Sequence, residues 1–395
     1  MRRLRIAMLT YSLRPRGGVV HALEVSEALA RRGHQVELFA LGPPGGRFFR
    51  EPTIPSRIIR YQTIDAPFDE RIIAMCAAYR DGLAKPLAEG SFDLIHSQDC
   101  LSANAAVELR DRGVIGHVIR TVHHLDDFTS PSLIECQNRS VLGPDALVCV
   151  SEPWVERVRH EYGVGADVVR NGVDTRRYRP SRDVSERGRD RDAFDLGERF
   201  TVLTIGGIEP RKGTLTLLDA FARLRERSPE LDARLVVAGG ATLFDYRHEI
   251  DRFHARTAEL GAGPAVRVLG TLTDGELVRL YRAADVFAFP STKEGFGLAA
   301  LEALASGLPV VASDFDALTT FLEDGRSALL VPVGDDEALA GALGRLGRDE
   351  SLRRRLRANG LRVAADYTWN RAAIEHERVY DGLLATLEAV GTRGV

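Results

Sequence analysis

Three short segments combine glycines with charged side chains in a way that suits an anionic ligand. Tyr11-Ser12-Leu13-Arg14-Pro15-Arg16-Gly17-Gly18 follows an apolar run and opens a helical stretch with Ala22, Val25 and Leu29 on its apolar side, which Gly33 can end. Gly206-Gly207-Ile208-Glu209-Pro210-Arg211-Lys212-Gly213 repeats the arrangement with two basic side chains added. Ser291-Thr292-Lys293-Glu294-Gly295-Phe296-Gly297-Leu298 is the third, and a helix over Leu298–Ser306, stopped by Gly307-Leu308-Pro309, carries it on to Glu302. Glycines let backbone N–H groups approach a phosphate, and a helix start favours negative charge there. Lys212 supplies a point charge for a diphosphate. Glu302 lies one turn beyond Leu298 on the same face, where a carboxylate can accept two hydroxyl hydrogen bonds, as from a ribose. Glu294, ahead of the helix, is placed to reach a sugar hydroxyl. Neither of the first two loops is a GxGxxG fingerprint or a Walker loop. Each segment also has an ordinary alternative: a flexible turn, an exposed basic turn, or two surface glutamates.

These loops need elements to hold them. Short apolar runs of strand length occur at Leu4–Leu9, Val36–Ala40, Leu94–His96, Val118–Val122 and Ala146–Val150, with amphipathic stretches between several of them. A second series runs through Thr201–Ile205, Arg234–Ala238, Val266–Leu269, Val286–Phe289, Val310–Ala312 and Leu329–Val331. Continuous apolar strands alternating with helices indicate parallel sheets covered on both faces. The segment between the two series, residues 181–198, is nearly all charged or small and reads as a linker. The expected organisation is a Rossmann-like domain over residues 1–180, the linker, a second Rossmann-like domain over 199–368, and a C-terminal helix within 369–395 that crosses back to the first domain. Two such α/β domains are expected to face a central cleft, with ligands at the carboxyl ends of the strands.

Composition narrows the function. A chain of 395 residues suits two domains, and a net charge of −3 gives no global field for nucleic acid. No apolar run approaches the ~20 residues that span a bilayer, and the run after Met1-Arg2-Arg3-Leu4-Arg5 is too short for a signal peptide. Cys76, Cys100, Cys136 and Cys149 show no CxxC spacing, so reduced thiols in a cytoplasmic protein are expected. Of only three lysines, Lys85, Lys212 and Lys293, the last two flank glycine-rich loops, where an ammonium is not interchangeable with a guanidinium.

The stretch Glu294 to Glu302 resembles the E-x7-E motif of glycosyltransferase family 4, the "glycosyl transferases group 1" proteins. Other segments resemble that family in the right order: Gly17-Gly18 its GG loop, Arg32-Gly33-His34-Gln35-Val36 its R-G-H-x-V, and Asn171-Gly172-Val173-Asp174 its NGVD. Pro210-Arg211-Lys212-Gly213 is similar to its P-x-K-G, and Gly307-Leu308-Pro309-Val310-Val311-Ala312 to its G-x-P-V-V-A. The resemblance covers nearly the whole chain. It implies a GT-B fold and retention of anomeric configuration. It also implies that Lys212 and the amides at Gly297 and Leu298 hold the donor diphosphate, with Arg211, Gly295 and Phe296 in the same donor-binding loops. By the same resemblance Glu302 holds the ribose, Glu294 the transferred sugar, and Gly17-Gly18 closes the site. Arg120-Thr121-Val122-His123-His124 resembles the family's T-x-H-D, which puts His123 against the sugar near the reacting carbon; His123 and Glu294 are thus the candidate catalytic residues. Two positions depart from the pattern. Gly207 stands where the family has Arg, leaving Arg211 as a replacement, and His124 stands where Asp is common, making it a rival to His123. A buried structural hydrogen bond is the plain alternative for either histidine.

The expected reaction moves a sugar from a nucleotide sugar, such as a UDP- or GDP-sugar, to an acceptor hydroxyl. Lys212 and the helix starts would stabilise the leaving diphosphate. No carboxylate nucleophile is evident, so a front-side route without a cofactor or metal is expected, and Asp190-Arg191-Asp192 and Asp314-Phe315-Asp316 are read as incidental. Competing readings are a sugar-nucleotide epimerase, a non-enzymatic sugar binder and, lowest, a nicotinamide oxidoreductase. The acceptor, whether sugar, lipid or small molecule, is not legible, and the loops at 52–70 and 125–139 that would meet it are idiosyncratic. Arginine-rich patches leave weak peripheral membrane contact open, although such faces are commonly just solvated.

Overall fold

The computed structural model describes residues 2–240 and 246–391. The chain divides into two units, one formed by residues up to Asn171 together with those from Trp369 on, the other by Gly172–Thr368.

The first unit contains β1 (Arg5–Thr10), α1 (Gly17–Arg31), β2 (Gln35–Gly42), β3 (Ser56–Arg60), α2 (Phe68–Gly90), β4 (Leu94–Ser97), α3 (Cys100–Asp111), β5 (His117–Val122), α4 (Pro131–Leu142), β6 (Ala146–Cys149), α5 (Glu152–Tyr162) and β7 (Asp167–Val168). All strands pair in parallel, in the order β3-β2-β1-β4-β5-β6-β7. Ile6, Met8, Leu94, Ile119 and Val148 are fully buried or nearly so, because helices cover both faces of the sheet. Tyr79 of α2 is fully buried and donates its hydroxyl to the carbonyls of Thr10 and Phe39, at 2.9 and 2.8 Å. It thereby satisfies carbonyl groups at β1 and β2 that water cannot reach.

The second unit contains α6 (Val184–Ala193), β8 (Thr201–Ile205), α7 (Thr214–Arg227), β9 (Arg234–Ala238), α8 (Arg247–Glu259), β10 (Val266–Gly270), α9 (Asp274–Ala283), β11 (Val286–Phe289), α10 (Leu298–Ala305), β12 (Val310–Ser313), α11 (Asp316–Thr319), β13 (Leu329–Val331), α12 (Asp336–Arg348) and α13 (Glu350–Asp366). Its parallel sheet has the order β10-β9-β8-β11-β12-β13. In both units the first strand lies between the second and the fourth, so the order reverses at the gap between β1 and β4 and between β8 and β11. Connections leave such a gap in opposite directions and open a crevice at the carboxyl ends of the strands. All three glycine-rich segments follow strands that flank these gaps.

The fold departs from the sequence reading in several places. Residues 181–198 are not a free linker: α6 lies within them and belongs to the second unit. Glu186, Asp190 and Arg191 are buried by pairing. Asp190 accepts from Arg279 and Arg282 at 2.8 and 2.7 Å, and Arg191 donates to the carbonyls of Ala283, Gly197 and Arg199. Glu186 is held between Arg179 and Arg182, and these hydrogen bonds push its pKa far below the ordinary carboxylate value. The partners on α9 and near β11 lie about ninety residues away, so no local pattern announces the helix. The first unit's main stretch ends at Asn171 rather than at 180. The loops expected at 52–70 and 125–139 contain β3 and most of α4. The last helix, α14 (Trp369–Gly391), is part of the first unit, where its Glu377 accepts from Arg32 at 2.6 and 2.8 Å and meets His34 at 3.1 Å.

Candidate active site

In the second unit, β8 ends at Ile205 and residues 206–213 turn into α7. Pro210–Lys212 form a 3-10 turn, so Lys212 sits ahead of the α-helix rather than within it. Gly213 then adopts φ +62°, and a Cβ there would lie 2.0 Å from the Pro290 carbonyl oxygen. Only glycine lets this loop close against the end of β11. The closure is completed by a hydrogen bond from the Thr292 amide to the Arg211 carbonyl at 2.8 Å. It brings three predicted residues together. Lys212 Nζ lies 2.7 Å from Glu294 Oε1, and Arg211 lies 3.1 Å from Glu294 Oε2. Burial would raise the pKa of Glu294, but the Lys212 and Arg211 charges and the Lys212 hydrogen bond outweigh it and hold the carboxyl down at about 2. Lys212 Nζ also stands 5.5 Å over the Phe289 ring, which keeps its stem in place.

Arg211 contacts Glu209 as well, at 3.5 Å, so its guanidinium is engaged by two carboxylates. At the departing position, Gly207, a Cβ would come 3.0 Å from the Gly240 carbonyl, so the loop here is crowded by its neighbour.

The third segment follows β11. Gly297 has φ +104°, and a Cβ would press within 2.5 Å of Leu318. Glycine therefore sets the turn into α10, whose first amides have no partner within the helix. Phe296 is buried with its ring stacked on Phe321 at 5.0 Å and beside Tyr367 at 5.9 Å, which leaves its backbone as the part it can offer a ligand. Gly295 and Leu298 are half-buried. Glu302 is held by two tyrosines that sequence reasoning missed. Tyr281 of α9, fully buried, donates to Glu302 Oε2 at 3.0 Å, and Tyr178 also hydrogen-bonds to Glu302. Burial, and then the Glu302 charge, push both phenols well above their ordinary pKa, so both remain donors. The two rings meet edge-on at 5.7 Å. Neither tyrosine lies in a motif beside the glutamate, so only the fold reveals them.

In the first unit, Gly17 and Gly18 begin α1. A Cβ on Gly18 would lie 3.1 Å from His123 Cδ2, so the GG loop packs directly on that imidazole. His123 Nε2 lies 3.1 Å from Gln98 Oε1, and Gln98, buried just past the end of β4, is a further residue that the sequence did not single out. Burial, with smaller effects from His124 and Arg120, lowers the His123 pKa to about 3. It is a neutral imidazole at ordinary pH. The rival His124 is exposed and faces Asp126 at 3.5 Å. Beneath His123 lie three fully buried histidines. His21 packs edge-on to it at 4.8 Å and meets Asn171 at 2.8 Å, His96 is bonded to Tyr380 and Thr121, and His376 bonds the Ala372 carbonyl. Burial keeps all three below their ordinary pKa, His376 at about 4.

Among the described residues there is no group of three histidine, cysteine or acidic side chains arranged to hold a metal ion. Within the two Asp-x-Asp strings, Asp190 is taken up by Arg279 and Arg282, and Asp316 opens α11. No helix among the described residues is long and apolar enough to cross a membrane.

Two parallel sheets of this strand order, with a glycine-rich loop at each switch point, are the Rossmann-like pair of the GT-B fold. Solved structures agree. A sucrose-phosphate synthase from Thermosynechococcus elongatus superposes with TM-score 0.81 at 25% identity, over 97% of this chain and all of that one. Anabaena Alr3699/HepE in complex with UDP-glucose superposes with TM-score 0.79 at 20% identity, over 98% of this chain and all of that one. Residues 15–177 match the model described as Glycosyltransferase Family 4, and residues 186–363 that described as Glycosyl transferases group 1. A D-inositol 3-phosphate glycosyltransferase of Corynebacterium jeikeium is 31% identical over 96% of this chain and 97% of its own length. One from Stackebrandtia nassauensis is 32% identical over 90% of this chain and 85% of its own. The chain belongs to glycosyltransferase family 4, the glycosyl transferases group 1 proteins, and is an enzyme of glycosyl transfer.

Proposed function

We propose that this enzyme moves a hexosyl group from a UDP- or GDP-sugar to an acceptor hydroxyl with retention of configuration, by a front-side route that uses no metal. The observation that carries the reading is the Arg211–Glu294–Lys212 cluster beside the start of α10. A cation pair, a carboxylate and the start of a helix on one loop surface fit a sugar diphosphate better than any neutral ligand. In this reading Lys212, Arg211 and the amides from Gly295 to Leu298 take the diphosphate, Glu294 takes a hydroxyl of the transferred sugar, and Glu302 takes the ribose. As the bond from the anomeric carbon to the diphosphate oxygen breaks, negative charge grows on the leaving group, and these donors stabilise it. The acceptor oxygen bonds to the anomeric carbon on the same face, and its proton passes to a leaving phosphate oxygen. Gly17, Gly18 and His123 are the first unit's candidate residues by the family resemblance, and there His123 is a neutral imidazole packed on Gly18. The names of the relatives make D-inositol 3-phosphate the first acceptor to test, and HepE makes UDP-glucose the first donor.

The test is incubation with a panel of UDP- and GDP-sugars and D-inositol 3-phosphate, followed by NMR of the product's anomeric centre. Retention of configuration is expected. An inverted product, transfer that stops on chelation and returns with a divalent cation, or turnover unchanged in both Lys212→Ala and Glu294→Ala would each overturn the reading.

A further inference from the structure

Three of the four cysteines lie together in the first unit. Cys100 is the first residue of α3, Cys136 sits in the middle of α4, and Cys76 lies on α2. Asn104, one turn on from Cys100, donates its side-chain amide to the Cys100 carbonyl and to the Cys136 carbonyl, each at 2.8 Å. That amide pins α3 to α4 at the level of the two thiols. The Cys100 thiol donates to the Cys136 carbonyl at 3.2 Å, and the two sulfurs are 2.8 Å apart. This is less than about 1 Å beyond the length of a disulfide bond. Both residues are half-buried rather than sealed from solvent.

Beneath them is a buried cation. Arg120 on β5 is 4% exposed and donates to Ser140 of α4. Among the described residues its Nε has no partner. The titratable groups that act on it are Cys100, Asp99, Cys136 and Cys149. A guanidinium beside thiols favours the thiolate. Burial and thiol neighbours oppose it. The Cys136 contact and burial raise Cys100 well above its ordinary pKa. Cys136 is lowered by Cys100 but raised more by Cys76 and burial, to about 12. The thiolate is therefore a minor species at neutral pH, and exchange speeds up about tenfold for each pH unit while the pH stays below that value.

We infer that Cys100 and Cys136 form a redox-active dithiol that takes a small-molecule disulfide as its substrate and closes reversibly to an intramolecular bond. The Cys136 thiolate attacks one sulfur of the disulfide RSSR, forms a mixed disulfide and releases RS⁻, which takes up a proton. The Cys100 thiolate then attacks the Cys136 sulfur and expels the second thiol. Two cysteine thiols and RSSR become one cystine and two RSH, so the protein is oxidised by two electrons and the small disulfide is reduced. The bond joins residues 36 apart in sequence and ties α4 to the start of α3. No part of this depends on the proposed donor or acceptor.

The experiment treats the full chain with excess oxidised glutathione at pH 8.5, blocks remaining thiols with iodoacetamide, and maps peptides without reduction. A Cys100–Cys136 cross-link is expected, with Cys76 and Cys149 alkylated. The Tm of oxidised protein should exceed that of dithiothreitol-treated protein by about 5 °C or more. Cys100→Ser should trap glutathione on Cys136, and Cys136→Ser should show no cross-link and no Tm shift. Full alkylation of both cysteines in the wild type, or a cross-link between another pair, overturns the inference. The wild-type map decides this even if a variant fails to fold.

Discussion

Replacing Tyr281 by Phe removes one hydroxyl and leaves the packing intact. The ring is fully buried, edge-on to Tyr178 at 5.7 Å and tilted against Phe287 at 5.7 Å, and phenylalanine preserves both contacts. What is lost is the 3.0 Å hydrogen bond to Glu302 Oε2 and a bond to the Ala299 carbonyl at 3.1 Å. A hydrogen bond to a charged group contributes about 1.5–3 kcal/mol net. Tyr178 still holds the carboxylate, so about 1.4 kcal/mol of its positioning should disappear, a tenfold rise in donor KM. A ribose contact is the same in the ground and transition states, so kcat should change less than twofold. Both phenols stay protonated in the folded enzyme, so the pH profile should keep its shape. The double variant Tyr178→Phe/Tyr281→Phe should approach the KM of Glu302→Ala. The assay is initial-rate kinetics with an intact donor and with a donor lacking ribose hydroxyls, for which the Tyr281→Phe effect should vanish. If Glu302→Ala raised KM more than tenfold while both tyrosine variants left it unchanged, the tyrosines would not position the glutamate. If Glu302→Ala itself had no effect, the ribose assignment would be wrong.

Three other outcomes are expected. On the proposed reading, Lys212→Ala should lower kcat/KM about a hundredfold or more, with Lys212→Arg recovering only part of it, because a guanidinium would not reproduce the compact ammonium that this reading sets on the phosphate; equal activity of the two variants would refute that role. Gly213→Ala should destabilise the protein by about 3 kcal/mol in urea unfolding, combining left-handed strain with the overlap on the Pro290 carbonyl, and an unchanged midpoint would contradict the loop geometry. Acid should weaken the first unit. Its buried histidines have folded pKa values below the unfolded value of 6.5, so the unfolded state binds protons first and stability falls as pH drops below 6.5. With His376 at about 4, that residue alone should cost about 2 kcal/mol at pH 5, and a His376→Gln variant that lost Tm between pH 7.5 and 5 as steeply as the wild type would exclude its part.

Much of the candidate site's loop geometry was legible because its encoding is local. A strand that ends in glycine, a cation and a helix start is a contiguous string, and its backbone path is dictated by residues such as Gly213 and Gly297 whose conformations other side chains resist. The strands were legible for a related reason: a parallel sheet buried on both faces needs unbroken apolar runs, and Thr201–Ile205 or Val286–Phe289 allow little else. The segment 181–198 was misread because charge pattern reports solvation only when partners are absent. Arg279, Arg282 and Asp285 are supplied by tertiary structure.

The sequence by itself determined the fold class, the family and the order of the glycine-rich loops, since each follows from short-range chemistry repeated in register along the chain. The tertiary structure decided which of two adjacent histidines packs on Gly18, what grips Glu302, that Arg211 and Lys212 converge on Glu294, and that thiols 36 residues apart touch. These are contacts between residues 21 or more apart, fixed by how helices pack on a sheet. Packing depends on the whole chain closing at once, and no window of sequence contains it.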